Sequence, residues 1–128
     1  TGTPISAFRA QKPTKEKSYL DVRIGLEWPR EDLYDRINHR VEMMVAAGLE
    51  DEARELVGKY GEDAPGLTSV GYREWFGYFR GDYDRAEAIR LIQRNSRRYA
   101  KRQLTWFRRD KEIEWLVVGE WDRILAWV

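Results

Sequence analysis

Residues 84–107, DRAEAIRLIQRNSRRYAKRQLTWF, decide the fold. Asp84 stands where a helix N-cap would, with Glu87 three positions on. That is capping-box spacing with Asp in the usual Ser or Thr place, and Tyr83 and Ala88 are placed to form the flanking hydrophobic staple. The pattern predicts one helix reaching Phe107, about 35 Å long at 1.5 Å per residue. Ile89, Ile92, Ser96, Tyr99 and Gln103 track its inward side. Ser96 and Gln103 are polar for a core stripe, so this side is expected to line a cavity. Arg94, Arg97, Arg98, Lys101, Arg102 and Thr105 share the i, i+3, i+4, i+7 spacing of another surface.

Working outward, three further helices precede this one. Pro29 opens the first, about 30–47, with Glu31 and Asp32 in a first turn that favours anions. Leu33, Ile37, Val41 and Met44 form its stripe, and Gly48 ends it. The second spans 49–60, with Leu49, Ala53, Leu56, Val57 and Tyr60 on one face. The third spans 69–80, with Tyr72, Trp75, Phe76 and Phe79 at helical spacing, and ends at Gly81. Leu20, Val22, Ile24 and Leu26 alternate with other residues, which predicts a strand over 19–26 with one buried face. Ile113–Val118 reads as a second short strand, and 120–127 as a terminal amphipathic helix. Residues 1–17 read as an irregular lead-in with a helical turn near Ser6–Arg9. The expected class is therefore mostly α, four to five helices, with two short strands.

Composition narrows the chemistry. The 128 residues suit one domain or one piece of a larger enzyme, and the lack of an initial Met leads us to expect a fragment of a longer protein. Cys is absent, which excludes disulfides, thiol nucleophiles and Cys-based metal sites. No apolar run approaches the roughly 20 residues of a membrane-spanning helix. The single His39 falls on the solvent side of the first helix, so neither a Ser-His-Asp triad nor a multi-His metal site is expected. The 23 Lys and Arg nearly balance 22 Asp and Glu, yet residues 88–111 hold nine cations and one acid, Asp110. Such a block is an electrostatic footprint for a polyanion, or else a solvated helix face.

Arg40 lies about 60° from Ile37 and about 40° from Met44 on a helical wheel, at the shoulder of the apolar stripe. A guanidinium there seeks an anion: a carboxylate in a structural salt bridge, or a phosphate in a cleft. Thr68-Ser69-Val70-Gly71-Tyr72 is a polar, Gly-containing helix entrance that could cap the helix or meet a phosphate. Trp106 and Phe107 could stack on an unpaired base or pack in a core. There is no GxxxxGK[ST] loop, no cluster with metal-ligand spacing and no evident general base.

Taken together, Thr1-Gly2…Ser6, Ile24-Gly25-Leu26, Leu33–Val41, Ala47-Gly48-Leu49, Val70–Glu74 and Tyr99–Arg108 resemble the C-terminal half of the bacterial tRNA dimethylallyltransferases. The run AKRQ-x-TWFR is very specific. The resemblance implies the C-terminal part of a nucleotide-binding, P-loop-type α/β enzyme, expected to be a cytoplasmic monomer. It would move a dimethylallyl group from dimethylallyl diphosphate to the exocyclic amine of the adenosine 3′ to the anticodon, with Mg2+ held by ligands outside this segment. It implies Arg40 as the catalytic diphosphate ligand. It implies tRNA contacts, to the anticodon stem-loop, from Ser69, Val70, Gly71, Tyr72, Arg73 and Glu74. The block Lys101, Arg102, Gln103, Leu104, Thr105, Trp106, Phe107 and Arg108 is expected to do the same, with Arg98 on the adjoining basic face. The family's phosphate loop and general base would precede Thr1, so the fragment is expected to be inactive alone, with the two strands paired to each other or to another copy. The alternative is a stand-alone helical RNA-binding module without catalysis. A relative prenylating free nucleotides would not need so long a cationic face.

Overall fold

The structure is a computed structural model and describes residues 22–119. Its elements in chain order are strand β1 (Arg23–Glu27), helices α1 (Arg30–Ala46), α2 (Leu49–Tyr60), α3 (Arg73–Arg80) and α4 (Arg85–Phe107), and strand β2 (Ile113–Val117). This is the mostly helical, two-stranded class expected. The lead-in 1–17, the start of the expected first strand and the terminal helix 120–127 lie outside the described residues.

Helix α4 is the hub. It packs against α1 on one side and α3 on another, and α2 closes the group against both. Asp84 caps α4, its Oδ1 accepting from the Glu87 amide at 2.8 Å. The return arm of a capping box is not seen, since the Glu87 carboxylate turns to Arg90 instead. Val41, Ala53, Trp75, Ala88 and Ile92 form the dry centre where the four helices meet. The small side chains of Ala53 and Ala88 leave room for the Trp75 indole, which stacks on Phe79 at 6.3 Å between centroids. Arg54 covers the far side of Phe79, its guanidinium carbon 4.2 Å from the ring centre.

Helix α3 begins at Arg73 rather than Ser69. Gly71 sits at φ 108°, a left-handed conformation that breaks the helical path and confines Thr68–Tyr72 to turns. At the other end Gly81, at φ 84°, closes α3 in a Schellman motif: its N–H reaches the Tyr78 carbonyl at 3.0 Å and that of Asp82 reaches Gly77 at 2.8 Å. Tyr60, expected on the buried stripe of α2, is exposed in its last turn.

The strands pair with each other in parallel, Arg23 opposite Ile113 through to Glu27 opposite Val117. Gly25 leaves room for the Trp115 ring of the paired strand, because a Cβ there would lie 2.7 Å from it. The apolar face expected to be buried is open: Ile24 and Leu26 are exposed. With Trp28, Leu33, Leu104 and Phe107 they line a cleft of about 980 Å³ between the sheet and the end of α4.

Two outcomes follow. Tyr83 lies against Gly77, where an added Cβ would come within 2.3 Å of its ring, and donates its hydroxyl to the Glu74 carbonyl at 2.6 Å. Gly77→Ala should therefore lower stability by about 2–3 kcal/mol, read from denaturant unfolding. Glu50 joins two helices, accepting from Arg85 of α4 at 2.7 Å and from Arg54 at 3.1 Å. Burial pushes its carboxyl up, but the two guanidinium hydrogen bonds and charges outweigh that and hold it below its ordinary value of 4.5. A carboxyl depressed by folding stabilises above its unfolded value and loses that contribution as pH falls through the folded one. Glu50→Gln should thus cost about 0.5–1 kcal/mol at pH 7, and the difference should vanish in acid below the carboxylate range.

Candidate functional site

Arg40 sits in the fourth turn's worth of α1 and reaches into a cleft of about 720 Å³ bounded by α1, the turn before α3, and α4. Ile37, Val41 and Met44 form its apolar floor on the α1 side. Thr68, Ser69, Val70 and Arg73 come from the turn, and Ser96, Tyr99, Arg102 and Gln103 from α4. Ser96 and Gln103 thus line a cavity, as their place on the inner stripe of α4 predicted. Among the described residues no carboxylate pairs with Arg40 or Arg102, and Arg73 pairs only with Glu74. The salt-bridge reading of Arg40 accordingly has no partner acid there. Three guanidinium groups around one partly apolar hollow attract an anion that carries a hydrocarbon portion.

The turn is held by one buried carboxylate. Glu74 is 4% exposed. Its Oε2 accepts from the Gly71 amide at 2.8 Å, and its Oε1 accepts from Arg73 Nε at 3.0 Å and from Asn95 Nδ2 of α4 at 2.8 Å. Ser69 donates its hydroxyl to the Gly66 carbonyl at 2.8 Å, and Thr68 to that of Pro65 at 2.9 Å. Tyr72 donates to Glu52 at 2.7 Å, and that bond to a carboxylate holds the phenol above its ordinary value. Gly71 and Glu74 are two of the residues expected at the nucleic acid. Both are buried, and they shape the turn that carries Ser69, Val70 and Arg73.

Helix α4 divides its cations. Arg98, Lys101 and Arg102 are exposed and have no acid partner among the described residues. Arg97 belongs to the packing: it donates to Asn38 Oδ1 of α1 and lies 5.9 Å from the Tyr34 ring centre. Arg94 is partly buried, with an Nε that finds no acceptor among the described residues. The basic face is therefore shorter than its spacing suggested, because α1 covers the earlier turns. The block Lys101–Arg108 cannot act as one face either, since eight successive helical residues pass all the way round the axis. Lys101, Arg102, Thr105, Trp106 and Arg109 surround a hollow of about 300 Å³. Thr105 spends its hydroxyl on the Lys101 carbonyl at 2.9 Å. Leu104 and Phe107 turn to the apolar cleft beside the sheet, and Arg108 is tied to Glu27. Trp106, 65% exposed, and Phe107, 44% exposed, meet edge to face at 4.9 Å. Core packing does not account for them within the described residues. His39 is exposed beside Glu42, as its wheel position required.

Sequence reasoning passed over Asn95. An Asn inside a long helix, where its propensity is poor, was the available signal that its amide has work elsewhere.

Comparison with known proteins places this arrangement. The protein-family model described as IPP transferase matches residues 1–110, and the chain belongs to that family. It is 48% identical over its whole length to a tRNA dimethylallyltransferase of Cytophaga hutchinsonii, of which it covers 41%. It is 47% identical, over 98% of the chain, to one of Halothermothrix orenii, of which it covers 39%. Among solved structures, the full-length tRNA isopentenylpyrophosphate transferase of Bacillus halodurans superposes on 75% of the chain with TM-score 0.72 and 48% identity, and 32% of that protein is covered. A tRNA delta(2)-isopentenylpyrophosphate transferase of Staphylococcus epidermidis matches at TM-score 0.71, with 38% identity over 77% of the chain and 33% of that protein. The chain thus spans about two fifths of the length of the curated relatives it matches.

Proposed function

We propose that this chain is the part of a cytoplasmic tRNA dimethylallyltransferase that grips the diphosphate of the prenyl donor and presents a cationic helix to the RNA. The observation that carries this is Arg40: a guanidinium without a partner acid among the described residues, lining a cleft with Arg73 and Arg102. In transfer of the dimethylallyl group to the exocyclic amine of the adenosine 3′ to the anticodon, the carbon–oxygen bond to diphosphate breaks and negative charge grows on the leaving oxygen. A fixed guanidinium at that oxygen lowers the barrier, because the charge it meets is greatest in the transition state. The apolar wall of Ile37, Val41 and Met44 suits the hydrocarbon end of the same donor. Arg98 and Lys101, outside that cleft, suit the phosphates of an anticodon stem-loop, and Trp106 offers a stacking surface for an unpaired base.

Mg2+, which the family resemblance implied, finds no group of three or more acidic or His ligands among the described residues. No described helix is long and apolar enough to cross a membrane.

In the family-length enzyme carrying this segment, Arg40→Ala should slow transfer about 10²–10³-fold while leaving tRNA affinity nearly intact. Collapse of tRNA binding with unchanged turnover of bound tRNA would refute the role. The chain alone should bind tRNA weakly and without regard to sequence in a gel-shift series. Replacing Arg98 and Lys101 by Gln should flatten the salt dependence by roughly one logarithmic unit per lost phosphate contact. A tight, specific complex of the isolated chain would favour a stand-alone RNA-binding module instead.

A further inference from the structure

We infer that Arg73 is a second guanidinium for the diphosphate, and that Asn95 is the positioning residue that keeps it aimed there through Glu74. The inference rests on the reading of the cleft as a diphosphate site.

Arg73 stands on the cleft wall, with its side chain half exposed. It spends only Nε, on Glu74 Oε1; no described group accepts from either Nη. A guanidinium is planar, so fixing Nε at a carboxylate fixes where the two Nη groups point. The aim is then only as firm as the carboxylate. Glu74 is held from both sides. Its Oε2 is pinned by the Gly71 amide within the same turn, and its Oε1 by the Asn95 amide from α4. A carboxylate only accepts, so the Asn95 side chain must present its NH2 group to it. Without that bond Oε1 could swing about the Gly71 contact and take Arg73 with it. Asn95 also fastens the turn to the helix that supplies Ser96, Tyr99, Arg102 and Gln103 to the opposite wall. One amide therefore sets the spacing of both walls around the anion.

An RNA phosphate is the other source of the same chemistry. Arg73 shares its hollow with Arg40, whereas Arg98 and Lys101 lie outside that hollow, on the exposed part of α4. The diphosphate is accordingly the ligand assigned.

Titration calorimetry of inorganic pyrophosphate into the whole chain tests this, with an anticodon stem-loop RNA as the second arm. Arg40→Ala and Arg73→Ala should each weaken pyrophosphate about tenfold. Asn95→Ala, and the isosteric Asn95→Asp should the first fold poorly, should weaken it about three- to tenfold, and Arg73→Ala combined with either should be no weaker than Arg73→Ala alone. A purely structural Asn95 would instead give additive losses and overturn the positioning role. Loss of RNA affinity in Arg73→Ala with pyrophosphate binding unchanged would make Arg73 an RNA contact and overturn its assignment. An Arg40→Ala chain that binds pyrophosphate normally would sink the cleft reading itself. If only that variant is impaired, while Arg73 and Asn95 variants bind like the parent, the inference fails and the cleft reading stands.

Discussion

A buried carboxylate with three hydrogen-bond donors is what the working half of this molecule is assembled around. Glu74 sits in the first turn of α3, close to the core indole of Trp75, yet its oxygens bind the turn before the helix and the flank of α4. A charge so deeply placed is tolerated because its acceptor sites are met, two by neutral amides and one by a guanidinium. Its backbone carbonyl takes part as well, receiving the Tyr83 hydroxyl from the link into α4. Burial pushes the Tyr83 phenol up, and the nearby Glu74 charge adds to that. The same residue thus fixes the start of α3, the loop after it and one wall of the cleft.

The distribution of paired and unpaired cations follows from the packing. Where helices touch, arginines are consumed: Arg54 and Arg85 on Glu50, Arg97 on Asn38, Arg80 on Glu62 and Asp82. Where α4 runs past α1 toward the strands, Arg98, Lys101 and Arg102 face solvent without partner acids among the described residues. The acidic start of α2, Glu50 to Glu52, lies on the opposite part of the bundle and is itself partly used by Arg54, Arg85 and Tyr72. Among the described residues, the helical cations left without acids are thus concentrated toward one end of α4.

Helix positions were legible because each carried two agreeing signals: an apolar period and a stop or cap, as with Asp84 for α4 and Gly81 for α3. The start of α3 was not, because Ser69 looks like an N-cap and the left-handed geometry of Gly71 is not encoded in periodicity. The strands were legible from alternation, but not the exposure of their apolar face, which depends on what else covers the sheet. Arg40 was legible from its place on the helical wheel, and its cleft from the polar Ser96 and Gln103. The fate of each cation on α4 was not, since spacing shows which side a residue takes and not whether α1 lies over it. Asn95 and Glu74 escaped notice as a pair because they are 21 positions apart and neither is unusual alone.

The parallel strands join the two ends of the described chain, and the ion pair between Arg23 and Asp110 beside them spans 87 positions. The elements between them are all helices, held by contacts of shorter range. The helices can assemble before the strands meet, whereas the strands gain their register only after the helical layer has brought their ends together. Closing the sheet therefore carries the loop-closure entropy of the whole described segment, and its register is expected to follow the helical packing.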